Sequence, residues 1–345
     1  MNILGIDTSC DDTSAAVVVD GHRVLSSVVN SQVRLHHPYG GVVPELASRE
    51  HLRNIVPVVN EALSRAGMDL KDLNGIAVTI GPGLVGSLLV GLYYAKALAY
   101  THQIPTVGMN HLEGHILSIF LEDDPPPAFP FVALTVSGGH TSLYRVDGFG
   151  NYSLMGQTLD DAAGEAFDKV AKLLGLGYPG GIAVEELARS GSKEGVPFPR
   201  AFMGPASLDF SFSGLKTSVA FYVRRWRESK EEMAGVKMAD IAASFQEAVV
   251  DVLVHKTLDA VKRTGVGAVV IAGGVACNKA LREKMRCEAA AKGVTLYYPR
   301  PAYCTDNGAM IALAGYHRLI HGKGADLSMD VRSRFPIEEL ASFDG

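Results

Sequence analysis

Two histidines four residues apart, in Asn110-His-Leu-Glu-Gly-His115, are the residues of this 345-residue chain best spaced to do chemistry. Side chains at i and i+4 of a helix differ by about 40° of rotation, so the two imidazoles can share one ion. Glu113 lies two positions after His111, whereas a zinc-protease helix carries its glutamate directly after the first histidine. At about 100° per residue Glu113 points away from the pair, which disfavours a base acting on metal-bound water. A two-histidine site needs a third ligand, usually a carboxylate. Asp306, in Thr305-Asp-Asn-Gly-Ala309, precedes an expected helix over 309–319. It can reach a metal or cap that helix, and its position alone favours capping.

Glycine turns suggest a second kind of site. Ser137-Gly138-Gly139, Gly180-Gly181 and Gly273-Gly274 each follow an apolar or helical segment, where bare backbone amides can approach a phosphate or a base. No P-loop or GxGxxG pattern accompanies them. An expected helix over 159–175 carries Asp161, Glu165, Asp168 and Lys172 along one face and runs into the Gly180-Gly181 turn. The usual meaning of such a stripe is a solvated face, but a carboxylate there, with Asp168 the candidate, can also accept bonds from ribose hydroxyls. Nucleic acid could be met by Lys216, Arg224, Arg225, Arg227 and Lys230, with Tyr222 and Trp226 between them, or by Arg49, His51 and Arg53. An amphipathic surface helix explains the longer of these stretches equally well.

The elements that must position these residues read as an internal duplication. Ile3 to Ser9 is a strand entering a polar turn, Ala15 to Val19 a second strand, and Asp20-Gly21 turns into a third. Phe131 to Gly139, Ser142 to Val146 and Asp147-Gly148 repeat the plan. Gly75 to Ile80, the Gly81-Pro-Gly turn, a helix and a strand near Thr106 form a crossover. Ala268 to Ala272, Gly273-Gly274, a helix from Cys277 and a strand near Leu296 match it. The expected architecture is α/β with two similar lobes facing a cleft. The proline run at 125–127 divides an N-terminal lobe, 1–128, from a C-terminal lobe, 129–325, and a tail, 326–345.

Bulk composition sets the remaining bounds. At 47% hydrophobic and 20% charged the chain is an ordinary globular protein, and a net charge of −5 argues against a broadly basic nucleic-acid coat while leaving room for a local basic patch. Cys10, Cys277, Cys287 and Cys304 form no CxxC pair, which fits a reducing compartment. The segment from Leu84 to Tyr100 carries Lys96 and two glycines and reads as a buried helix rather than a span, so the chain is expected to be cytoplasmic.

Several blocks, in order over nearly the whole chain, resemble the TsaD family. They are Ile6-Asp-Thr-Ser-Cys-Asp-Asp12, Tyr39-Gly-Gly-Val-Val-Pro-Glu-Leu-Ala-Ser-Arg49, Gly81-Pro-Gly-Leu, His111-Leu-Glu-Gly-His115, Val136-Ser-Gly-Gly-His-Thr141, Phe210-Ser-Phe-Ser-Gly-Leu-Lys216, Gly273-Gly-Val-Ala-Cys-Asn278 and Thr305-Asp-Asn-Gly-Ala309. The resemblance implies the duplicated actin/hexokinase/Hsp70-like fold. It also implies transfer of threonylcarbamoyl from threonylcarbamoyl-AMP to N6 of adenosine 37 in tRNAs reading ANN codons, with release of AMP. His111, His115 and Asp306 match the family's ligands for one divalent metal, Fe2+ in the usual assignment and Zn2+ in some preparations. Thr135, Val136, Ser137, Gly138, Gly139, Asp168, Gly181 and Asn278 match its adenylate-binding positions, and Asp11 a suspected catalytic one. A TsaB-like paralogue and a TsaE-like ATPase are the implied partners. The chain departs from the family at Asp7, where glutamate is usual, and at Ile182 and Glu185 beside the glycine turn. A kinase or chaperone-like ATPase of the same fold leaves the histidine pair unexplained, and a non-catalytic scaffold predicts loss of the three metal ligands.

Overall fold

The structure, a computed structural model, describes residues 1–204, 207–228, 235–324 and 327–340. Lys230 and the expected 325/326 boundary lie outside them. The chain forms two compact units, residues 1–126, 147–152 and 299–345 in the first, and 127–146 and 153–298 in the second.

Unit one begins with β1 (Asn2–Asp7), β2 (Asp12–Val19) and β3 (Arg23–Ser31), followed by α1 (Val33–His36) and α2 (Pro44–Ala66). Then come β4 (Gly75–Gly81), α3 (Val85–His102), β5 (Thr106–Asn110) and α4 (His111–Leu117). Its sheet has the order β3-β2-β1-β4-β5. The β1–β2 and β2–β3 pairs are antiparallel, and β1–β4 and β4–β5 are parallel. Unit two holds β6 (Phe131–Val136), most of β7 (Thr141–Gly148) and of β8 (Asn151–Gln157), whose adjoining ends at 147–152 group with unit one, and α5 (Ala163–Leu174), α6 (Gly180–Ala188) and α7 (Ser213–Glu228). It continues through α8 (Met238–Thr264), β9 (Ala268–Ala272), α9 (Lys279–Ala291) and β10 (Thr295–Tyr297). The second sheet, β10-β9-β6-β7-β8, repeats the order of the first, so the duplication is present strand for strand. The chain then returns to unit one as α10 (Pro301–Cys304) and α11 (Gly308–Ile320).

The central strands are near-continuous apolar runs because both their faces are covered. One face of the first sheet, with Leu4, Ile6, Ala15, Val17, Ile76 and Val78, packs on Ile55, Val59 and Ala62 of α2 and Leu92 and Ala95 of α3. The other face receives α11 at unusually close range. A Cβ at Gly5 would lie 2.0 Å from the Gly308 carbonyl oxygen, and one at Gly315 would lie 2.3 Å from the Ala77 Cβ. Glycines on both partners let helix backbone meet strand backbone. This docking is why 299–345 groups with unit one, whereas the sequence reading carries the second lobe through residue 325.

Three local expectations need correction. The β7–β8 hairpin does not turn at Asp147-Gly148: both stay in the strand, and Phe149-Gly150 makes the turn with Gly150 at φ 74°. The helix expected over 159–175 begins only at Ala163, because Thr158 bridges to Phe210 and the Asp160 carboxylate accepts from the Phe212 and Ser213 amides. The helix read as buried from Leu84 is amphipathic in its setting. Leu88, Leu92, Ala95 and Ala99 face the core, while Tyr93 and Tyr100 are 59% and 71% exposed.

Candidate metal centre

Asn110 starts α4 by accepting from the Leu112 and Glu113 amides through Oδ1, at 2.9 and 3.4 Å, and its Nδ2 donates to the Phe335 carbonyl at 2.8 Å. The cap satisfies amides that the first helical turn leaves orphaned and fixes where the short helix begins. His111 and His115 then fall on one face. Their Nε2 atoms are 3.1 Å apart, with the rings edge-on at 84°.

Asp306 completes a triangle. Its Oδ1 lies 3.1 Å from His115 Nε2 and 3.4 Å from His111 Nε2. The helix cap falls to the next residue, since Asn307 Oδ1 accepts from the Met310 amide at 2.9 Å. Capping, which position alone assigned to Asp306, therefore leaves the aspartate carboxylate free to face the histidines. Ligand atoms about 2.1 Å from one ion are separated by about 3.0 Å in octahedral and about 3.4 Å in tetrahedral geometry. The observed edges span that range, so the three residues fit one divalent ion. Two imidazoles and one carboxylate, with further positions open, are also the donor set of non-haem iron sites.

A second layer orients His111. Its Nδ1 lies 3.2 Å from Ser9 Oγ and 3.5 Å from Asp7 Oδ2, and Ser9 Oγ donates to Asp7 Oδ2 at 3.3 Å. All three residues are buried. A carboxylate behind Nδ1 favours the tautomer with its proton there and leaves Nε2 to bind metal. Burial opposes charge on His111, but the Asp306 and Asp7 carboxylates outweigh it and raise its pKa to about 10. Burial and the neighbouring His111 charge depress His115. Burial would raise Asp306, but the two histidines hold its carboxyl well below the usual range. The two imidazoles and the carboxylate thus favour a shared positive charge between them, which a divalent ion would supply in place of a proton.

Glu113 is not part of the centre. Its carboxylate takes a bidentate pair from Arg318 of α11, at 2.9 and 3.0 Å, and a hydrogen bond from the Tyr152 hydroxyl at 3.0 Å. It is 1% exposed and fully committed.

Asp11 stands in the β1–β2 turn, two residues beyond Ser9. His51, read from the sequence as one of three basic residues for nucleic acid, instead braces this turn from inside. Its Nε2 pairs with the Cys10 carbonyl at 2.9 Å and its Nδ1 with Thr13 Oγ1 at 2.7 Å. Burial lowers its pKa, so it is a neutral strut. Arg49 and Arg53 pair with Glu45 and Glu50 on the same helix. Beside the turn, Asp12 has a buried Oδ1 without a hydrogen-bond partner, and burial, reinforced by Asp306, raises its pKa to about 7.

The remaining sequence candidates lie in unit two. Parallel pairing of Thr135 with Ala272 brings the Thr135, Val136, Ser137, Gly138, Gly139 turn beside the Gly273-Gly274 turn, at the carboxyl ends of β6 and β9. A Cβ at Gly273 would lie 2.5 Å from the Val136 carbonyl oxygen, whereas Gly138, Gly139 and Gly181 face open space. Ser137 is locked by backbone bonds with His140 and Gly164, and the latter ties the start of α5 to the turn. Asp168 accepts from the Gly180 amide at 2.7 Å, which sets the Gly180-Gly181 turn. Asn278 caps α9 through Leu281 and donates to Gln246. Thr135 and Val136 are buried, so their side chains shape the strand end rather than line a surface. Turns at the carboxyl ends of parallel strands are where α/β sheets place ligands. Of the basic helix, Lys216 pairs with Asp161 at 2.7 Å, Trp226 Nε1 donates to the Val236 carbonyl, and Tyr222 packs edge-on against Phe198. Trp226 and Tyr222 are thus engaged in packing.

Sequence reasoning missed the structural parts of Asn110 and Asn307, although an asparagine just ahead of a helix is a readable cap. It also missed Ser9 and Arg318, for which no local signal exists.

The TsaD family, described as tRNA N6-adenosine threonylcarbamoyltransferase, matches residues 23–313. A protein of that name from Desulforapulum autotrophicum is 56% identical over 334 residues, covering 97% of this chain and 99% of the relative. One from Geobacter sp. (strain M21) is 54% identical over 341 residues, covering 99% and 98%. Among solved structures, full-length HypF superposes with a TM-score of 0.62 at 14% identity, over 92% of this chain and 46% of HypF. Component A of the Acidaminococcus fermentans (R)-2-hydroxyglutaryl-CoA dehydratase gives 0.54 at 17% identity, over 93% and 99%. These two likenesses bear on fold alone, the duplicated α/β fold of the actin/hexokinase type. The matching family model and the near-full-length relatives place the chain in the TsaD family of tRNA N6-adenosine threonylcarbamoyltransferases.

Proposed function

We propose that the chain transfers threonylcarbamoyl from threonylcarbamoyl-AMP to N6 of adenosine 37 in tRNAs that read ANN codons. The observation that carries this reading is the buried convergence of His111, His115 and Asp306 in a chain of this family. The N6–carbonyl bond forms, the carbonyl–phosphate oxygen bond breaks, AMP leaves, and the proton of N6 passes to a base.

The donor is a mixed anhydride and already activated, so no protein nucleophile is needed. His111, His115 and Asp306 hold one divalent metal, Fe2+ foremost and Zn2+ as the alternative. When bound it supplies Lewis acidity toward carbonyl or phosphate oxygens. Amides of the Ser137-Gly138-Gly139 turn cradle the phosphate, with Thr135 and Val136 fixing the strand beneath them. Asp168, Gly181 and Asn278 contact the adenylate, and Asp11 accepts the proton. A TsaB-like paralogue and a TsaE-like ATPase assist.

Nucleoside mass spectrometry on unmodified tRNA, given the donor, this protein and those partners, tests the reading. Threonylcarbamoyladenosine forms with the natural chain, and the Asp11→Asn protein binds donor yet makes none. Near-normal turnover by Asp11→Asn removes Asp11 from the chemistry, and no product from the natural chain with active partners removes the function.

A further inference from the structure

A groove of about 530 Å³ between α5 and α7 lies wholly within unit two. Lys169, Lys172 and Leu173 line it from α5, and Thr217, Phe221 and Arg224 from α7, at spacings of three and four that put each set on one helix face, and Lys216 lines it too. Phe221 is 68% exposed, a large apolar ring turned toward solvent. Around it the cations differ in how firmly they are held. Lys169 and Lys216 both sit on Asp161 at 2.7 Å. Among the described residues Arg224 is tied only to Glu228, four residues on, with both side chains mostly exposed. Such an exposed pair contributes little, so a phosphate can displace the glutamate readily. Lys172 is exposed and, among the described residues, has no ion pair.

An aromatic face flanked by exposed, weakly paired cations is the chemistry of an unpaired nucleotide, whose base stacks while its phosphates meet the charges. An acidic helix would use the cations but gain little from a single protruding ring. The net charge of −5 also means that a polyanionic substrate must find a local basic patch. We propose that this groove holds an unpaired nucleotide of the tRNA substrate, its base on Phe221 and its flanking phosphates on Lys172 and Arg224. The assignment rests on the tRNA-modifying function and extends it to a docking surface.

Binding of end-labelled, unmodified tRNA to the full chain, followed by fluorescence anisotropy across a salt series, tests it. Phe221→Ala weakens binding roughly ten-fold with little change in salt slope. Lys172→Glu with Arg224→Glu lowers the slope of log affinity against log salt by about 1.5. Glu228→Gln, which frees Arg224, strengthens binding about two-fold, a gain that misfolding cannot imitate. In transfer assays the first two raise KM for tRNA and leave kcat unchanged. Unaltered affinity and slope in all three folded proteins overturn the proposal. So does unaltered tRNA binding together with lost capture of poly-glutamate by the charge-reversed protein, which assigns the groove to an acidic protein. A natural chain that modifies no tRNA defeats the functional reading itself, a result separate from any behaviour of the groove variants.

Discussion

Glu113 and Arg318, 205 residues apart in sequence, form a buried bidentate ion pair 2.9 and 3.0 Å long and braced by the Tyr152 hydroxyl. The pair pins α4 to α11, the two helices that bring the histidines and Asp306 together. It also answers the oldest question raised by a histidine pair with a nearby glutamate. Glu113 is bound to a guanidinium and cannot serve a metal-bound water.

Glu113 therefore acts through stability. Glu113→Ala strands the Arg318 charge in the interior and costs about 3–5 kcal/mol, read by urea unfolding. Glu113→Gln, assayed where it remains folded, retains metal and transfer. A folded, metal-loaded Glu113→Gln protein without activity would return the residue to the chemistry.

Asp7 governs His111 from behind. Asp7→Asn removes the charge 3.5 Å from Nδ1 without changing size, and metal affinity falls about 10–100-fold. Competition against a chromophoric chelator measures this independently of activity. Unchanged affinity would mean that Ser9 alone orients the ring.

Helix α11 tolerates no bulk where it crosses the sheet. A Cβ at Gly308 would lie 2.6 Å from the Ala16 amide nitrogen. Gly308→Val must push the helix off β1 and β2 and carry Asp306 with it, so both thermal stability and metal content fall. A variant that keeps its metal while losing stability would show that Asp306 is held by its loop rather than by the helix.

His317 makes the fold acid-sensitive. Its ring stacks on Phe149 at 3.6 Å, and burial, with His321 nearby, lowers its pKa to about 4. The unfolded value is about 6.5, so the folded state favours the neutral ring. Its stabilisation is complete above about pH 6.5 and is lost as pH falls through about 4. His317→Phe keeps the stack and removes the titration. Its stability, relative to that at pH 8, drops less between pH 6.5 and 4 than that of the natural chain. Equal acid sensitivity would place the titrating group elsewhere.

The duplication and the i,i+4 histidine pair were readable because both are periodic: strand, glycine turn and helix recur in order, and helical spacing is local. The tertiary details were not. Nothing local tells Asp306 from Asn307 as the cap, because both are good cap residues and only the docking of α11 decides between them. His51 looks basic beside Arg49 and Arg53, yet its helix turns it inward onto Cys10. Asp147-Gly148 is a sound hairpin signal, but Gly150 takes the left-handed position two residues later.

The most direct test of the whole account is to strip the purified chain with a chelator and measure transfer onto unmodified tRNA before and after adding single divalent ions. Transfer should vanish with the metal and return with about one equivalent of Fe2+, or of Zn2+, while a His115→Ala protein with a native circular dichroism spectrum recovers nothing. Full transfer by protein that retains only a trace of metal would contradict the role given to His111, His115 and Asp306.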